Sequence, residues 1–293
     1  TSQGGINNTT DAVDEIVDGE KGTGIETGSE SAEISGASNG GLVGVQNSIT
    51  ESKTLLSISD ELSETDQNLN YEDEIYNALI SGETVVLEDD VKFDKNIIIP
   101  EGVESILDLN GHTLLNSAVI AVLGNLTIEG NSGRVESDIQ LGTYNEETKS
   151  SGSILTIDGD ITLHFEEYGI TVFGDDSELN INNGTINAAY FAISGNGMES
   201  RTSHSVINIT GGHLISREDV AIYHPQRGGS ELTISGGTIE GNWAAVQMCS
   251  GSLKISGDPV LSASSKSEFP EKDDDAMDGS INDGAAVSII NRE

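Results

Sequence analysis

From about residue 84 onward, apolar and polar residues alternate with a period of two, in short bursts closed by Gly, Pro, Asn or Asp. TVVLEDD, VKFDKNIIIP and SILDLNGHTLL come first. Each predicts a short strand ended by a turn. Just upstream, NYEDEIYNALISG sets Tyr71, Ile75 and Leu79 at i, i+4 and i+8, with Ala78 on the same face. That spacing predicts an amphipathic helix over 71–81, with Asn70 as its N-cap and Gly82 as its stop.

The strand bursts repeat. A pattern L-x-[IL]-x-x-G opens at Leu107 (one residue shorter), Leu126, Leu155, Leu179, Ile207, Leu232 and Leu253, at intervals of 19, 29, 24, 28, 25 and 21 residues. A second echo, a small residue followed by alternating apolar ones, follows most openings: AVIAVLG, YGITVFG, FAISG, VAIYHP, AAVQM and GAAVSII. Repeats of this length, each with two or three short strands and Gly-Asn-Asp turns, predict a solenoid. Fixed strand registers with loops of free length at the corners account for the uneven intervals. Insertions at 144–153, 195–205 and 262–283 fit such corners.

Two other folds share part of the pattern. Leucine-rich repeats have a similar period, but their L-x-x-L-x-L-x-x-N/C core is absent and Gly and Thr stand where helix formers belong. A two-layer sandwich needs the alternation but not the homologous neighbours at every turn. In a β-coil, Leu232, Ile234, Ile239 and Val246 point inward and stack on their counterparts. Some eight coils about 4.8 Å apart then make a rod on the order of 40 Å long. Asn110, Asn182 and Asn183 are expected at corners, where Asn tolerates a left-handed backbone.

Residues 1–68 read differently. They are rich in Gly, Ser, Thr, Asn and acids, nearly free of aromatics and without lasting periodicity, which predicts a disordered acidic leader ahead of a solenoid over 69–293. The whole chain has 50 acidic against 13 basic side chains, a formal charge of −37. So acidic a molecule repels phosphate backbones, which argues against nucleic-acid partners. No apolar run reaches the roughly 20 residues that cross a bilayer, so direct membrane insertion is not expected. The single cysteine, Cys249, excludes a disulfide framework and reads as a small buried filler.

The phrases SGETVVLEDDV, ILDLNGHTLL, ISGGTIEG and AIYHPQRG resemble right-handed parallel β-helix regions of large extracellular proteins from Gram-positive, often gut-dwelling, bacteria, with a fold similar to the pectate-lyase-like superfamily. The resemblance covers about residues 70–293. It implies an all-β, right-handed parallel β-helix with a helical N-terminal cap at 71–81, secreted or attached to the cell surface or wall. The final phrase GAAVSIINRE stops without a polar cap, so the chain is expected to be covalently continuous with further domains.

The enzymes of that superfamily cleave acidic polysaccharides, which needs clustered carboxylates, a calcium site or a base. Gly174-Asp175-Asp176 resembles one piece of a polygalacturonase signature, but its NTD, GHG and RIK partners have no counterpart. A GDD at a strand end is also ordinary turn chemistry. Asp273, Asp274, Asp275 and Asp278 form the one calcium candidate, and their spacing is not that of an EF-hand loop. His112, His164, His204, His213 and His224 show no paired metal spacing. No catalytic residue, metal site or cofactor is assigned.

One constellation points to binding. Aligning the second echoes on Ile193, Ile222 and Val246 puts Tyr190 and Trp243 in one column, with Tyr223 in the next outward column. Arg201, Arg217 and Arg227 fall in the neighbouring coils, with His224 and Gln247 beside them. Flat rings and planar donors are what a shallow sugar site uses; the plainer alternative is aromatics packing corners. The expected function is a non-catalytic, adhesin-like module that binds glycans or a host surface, or serves as a spacer. Its rival is a polysaccharide lyase or glycoside hydrolase acting on acidic polysaccharide through Asp175, Asp176, Arg217 and His224.

Overall fold

The computed structural model describes residues 64–142, 151–195, 204–225, 228–264 and 284–289, with 64–70 described as backbone only. Among the described residues one helix, Glu64–Ser81, is followed by 22 strands. Every strand pair among the described residues is parallel, and the strands stack into a β-helix of about 7 turns. The repeated sentence in the sequence is therefore one coil, and its Gly-rich punctuation marks the corners.

Each coil has three faces. The first is an eight-stranded sheet running from Thr84–Val86 through Ser177–Ile181 to Ser252–Ile255. The other two belong to a 14-stranded sheet, because Thr113–Val122 and Arg134–Leu141 each bend around a corner and take part in both. The second face continues through Thr162–Phe165, Thr185–Ala188, His213–Ser216 and Thr238–Gly241. The third continues through Ile170–Val172, Ile193–Gly195, Ile222–His224, Ala244–Met248 and Ala285–Ile289.

Stacked rows form the core. On the first face Leu107, Ile128, Ile157, Ile181, Ile209 and Ile234 pair in succession, and none is more than 1% exposed. Leu232, Ile234, Ile239 and Val246 all point inward and are fully buried, as their repeat positions predicted. Burial of each such side chain contributes about 1.5–3 kcal/mol. In the last coil of the described residues Ile255 is 46% and Val260 56% exposed.

The helix starts earlier than the spacing predicted. Asn70 lies inside it rather than at its N-cap, because Glu64 to Leu69 contain no Gly or Pro to stop a helix propagating upstream. The start also falls before residue 69, where the solenoid was expected to begin; residues 1–63 of the expected leader lie outside the described residues. Ile75 and Leu79 are buried against the first coil, and the Ser105 hydroxyl donates to the Leu79 carbonyl at 2.6 Å. The Tyr71 hydroxyl accepts the Glu88 and Asp89 amides at 2.7 and 3.3 Å. Tyr71→Phe removes that acceptor and is expected to lower unfolding stability by about 1 kcal/mol, read from the urea midpoint.

Corner chemistry follows the expectation at Asn110, which has φ 45° and donates its side-chain amide to the Leu87 carbonyl at 3.0 Å. Asn180 and Asn208 add a rung on the first face, with Nδ2 of Asn208 donating to Oδ1 of Asn180 at 3.0 Å. No helix among the described residues is long and apolar enough to cross a membrane.

Candidate functional site

The corner between the second and third faces holds the aromatic residues. In successive coils it is built by Glu166 to Gly169, Ala189 to Ala192, Arg217 to Ala221, and Asn242 with Trp243. The register Ile170, Ile193, Ile222, Val246 is the observed one. Counting back three residues from each puts Tyr190 and Trp243 in one column, as predicted. Counting back two gives Tyr168, Phe191, Val220 and Ala244, a column whose two aromatic members were not among the candidates.

These rings form a continuous run. Tyr168 lies 5.3 Å from Tyr190 and 5.9 Å from Phe191, centroid to centroid, tilted by 37° and 42°. Phe191 stacks on Tyr223 at 5.0 Å and 22°. Phe191 and Trp243 in turn flank the buried pair Val220 and Ala244. The coils can approach this closely because residue 169 is glycine: a Cβ there would stand 2.2 Å from the Ala192 carbonyl oxygen. Only the head of the run is open, with Tyr168 48% and Tyr190 37% exposed. Trp243 is half-buried.

Arg217 belongs to the same corner, but its guanidinium is turned along the rod, donating to the Asn187 side chain and, at 3.2 Å, to the Phe165 carbonyl. It ties three coils together. Asp138 sits one coil before Tyr168, beside Gly169 by the register that pairs Ile139 with Ile170. Although Asp138 is an exposed residue, partial desolvation crowds its carboxyl group and raises its pKa, and the charge of Glu167 raises it further.

Three of the expected surface residues are covered. The strands Ile222–His224 and Ala244–Met248 are buried at every position, inward and outward rows alike. Tyr223 keeps its outward position but is only 9% exposed. Gln247, its ladder partner, is 1% exposed. His224 pairs with Met248, in the inward row that also contains Leu141 and Val172, and is fully buried. Alternation places Tyr223 and Gln247 outward, yet a strand covered on both sides shows no exposed row; His224, two residues after Ile222, falls inward by that same alternation.

His224 is held by its Nδ1, 3.2 Å from the Ser250 carbonyl. A carbonyl only accepts, so Nδ1 carries the proton, and Nε2 has no hydrogen-bond partner among the described residues. Burial lowers the His224 pKa, partly offset by its backbone hydrogen bonds. Below about pH 6.5 the unfolded chain therefore binds a proton that the folded chain refuses, and this residue costs stability as pH falls. His224→Met, matching its neighbour Met248, is expected to gain stability over the wild type as pH drops from about 7.5 to 5.5. Paired urea midpoints at the two pH values measure this, because the relief of the −37 charge acts on both proteins alike.

The residues of the rival enzyme do not come together. Asp175 and Asp176 lie between the third and first faces, Arg217 lies between the second and third, and His224 is in the core. The GDD is a turn clamp: Asp176 has φ 48°, Asp175 Oδ1 accepts the His204 amide at 3.2 Å, and Asp176 Oδ1 meets His204 Nδ1 at 3.0 Å. Among the described residues no group of three or more His, Cys, Asp or Glu is placed to hold a metal ion. Arg201, Arg227 and the calcium candidates Asp273, Asp274, Asp275 and Asp278 lie outside the described residues. Comparison of the chain with protein-family models, curated proteins and solved structures returned no match.

Proposed function

We propose that this chain is a non-catalytic carbohydrate-binding module, an adhesin-like β-helix of an extracellular bacterial surface protein. The observation that carries this reading is the open pair Tyr168 and Tyr190 at the head of a run continuing through Phe191 and Tyr223 toward Trp243. Exposed, tilted rings held by a rigid backbone present flat apolar faces to the C–H faces of sugars and cost little ordering on binding. The corner repeats once per coil, which suits a polymeric ligand lying along the rod. The sequence resemblance to pectate-lyase-like β-helix regions of surface proteins supports the extracellular setting.

A glycan array spanning plant, mucin and glycosaminoglycan structures, with product analysis of each retained glycan, tests this reading. Retention without shortening of the glycan is expected. Depolymerisation would replace it with the enzyme, and the absence of both retention and turnover would leave a spacer.

A further inference from the structure

We infer that the aromatic corner selects an amine-bearing, cationic sugar over a uronate, with Asp138 and Glu167 supplying the carboxylates that meet the ammonium group. This rests on the sugar-binding reading above and names the ligand class. Glu167 directly precedes Tyr168 in the chain, and its backbone carbonyl accepts the Tyr190 amide at 2.9 Å. Asp138 stands one coil away beside Gly169, near enough to Glu167 for that charge to act on it. Both acidic residues therefore belong to the corner that carries the two exposed rings.

No cation answers them from within the described chain. Among the described residues neither carboxylate has an ion pair. Arg217, the base of this corner, is engaged by Asn187 and the Phe165 carbonyl. A uronate would bring a third carboxylate beside two that already repel each other. An ammonium group relieves that repulsion and is also attracted to the faces of Tyr168 and Tyr190. The overall charge of −37 favours the approach of the same ligand and disfavours the uronate.

The test compares three hexasaccharides by calorimetry at about pH 6 and about 0.15 M salt: β-1,4-linked glucosamine, its N-acetylated form and galacturonate. The wild type should bind the amine at least tenfold more tightly than the acetylated hexamer and should not bind the uronate. Asp138→Asn with Glu167→Gln should bring the amine down to the acetylated level, and Tyr168→Ala should weaken both. Equal affinity of the wild type for amine and acetylated hexamers overturns the ligand class and leaves sugar binding standing. Amine binding that survives all three substitutions is diffuse attraction to an acidic chain and likewise overturns it. Failure of all three hexamers to bind overturns the ligand class, and retention on the glycan array then decides separately whether sugar binding stands.

Discussion

Gly159→Ala is expected to lower the unfolding free energy by roughly 2–4 kcal/mol, a large share of a typical domain's stability. Gly159 turns a corner with φ +85°, and a Cβ there would lie 2.1 Å from the Gly130 carbonyl oxygen in the preceding coil. That oxygen also accepts the Asp160 amide at 2.9 Å, a bond that joins the two coils. Alanine therefore imposes a left-handed backbone on an L-residue and pushes apart a rung of the stack. Gly152→Ala is the matched control: φ is +76°, but nothing lies within 4 Å of the added carbon. It should cost only about 1–2 kcal/mol. Urea midpoints of the two variants separate the backbone term from the steric one, and equal losses would show that coil-to-coil crowding at Gly159 is unimportant.

The second large effect concerns binding. Tyr168→Ala or Tyr190→Ala is expected to weaken retention of an array-positive glycan about tenfold, roughly 1.4 kcal/mol. Because their rings touch at 5.3 Å, the double variant should lose less than the sum of the two. Both rings are substantially exposed, so thermal midpoints should fall by no more than a few degrees. Trp243→Ala is a poorer probe of binding. Its ring packs against Val220 and Ala244, and truncation disturbs the corner it supports.

The coil was legible in the sequence because its inward rows are chemically monotonous. Leu126, Leu155, Leu179, Ile207, Leu232 and Leu253 pair in that order, and the same residues open the repeats. Registers follow once each LxI is laid over the next, since a one-residue slip would turn every Leu and Ile outward. The third face was harder. Tyr223 and Gln247 occupy outward positions and yet are buried, which no periodicity within a single strand can reveal. His224 falls where the inward row offers Val172 in an earlier coil and Met248 in a later one, and a polar residue in such a row reads as a surface residue. Tyr168 and Phe191 were visible in YGITVFG and FAISG, but as spacers before the apolar run rather than as a column of their own. The helix start is not legible at Asn70, a good cap in isolation, because the helix begins at Glu64.

Trp243 is the only tryptophan, and it stands three coils beyond Tyr168, roughly 14 Å along the rod. Its fluorescence reports directly on whether the aromatic corner is the ligand surface. Titration with an array-positive oligosaccharide long enough to span those coils should change Trp243 emission saturably in the wild type, and the change should be lost in the Tyr168→Ala, Tyr190→Ala protein. A ligand that binds that double variant with wild-type affinity and leaves Trp243 emission unchanged would place recognition elsewhere and contradict the account.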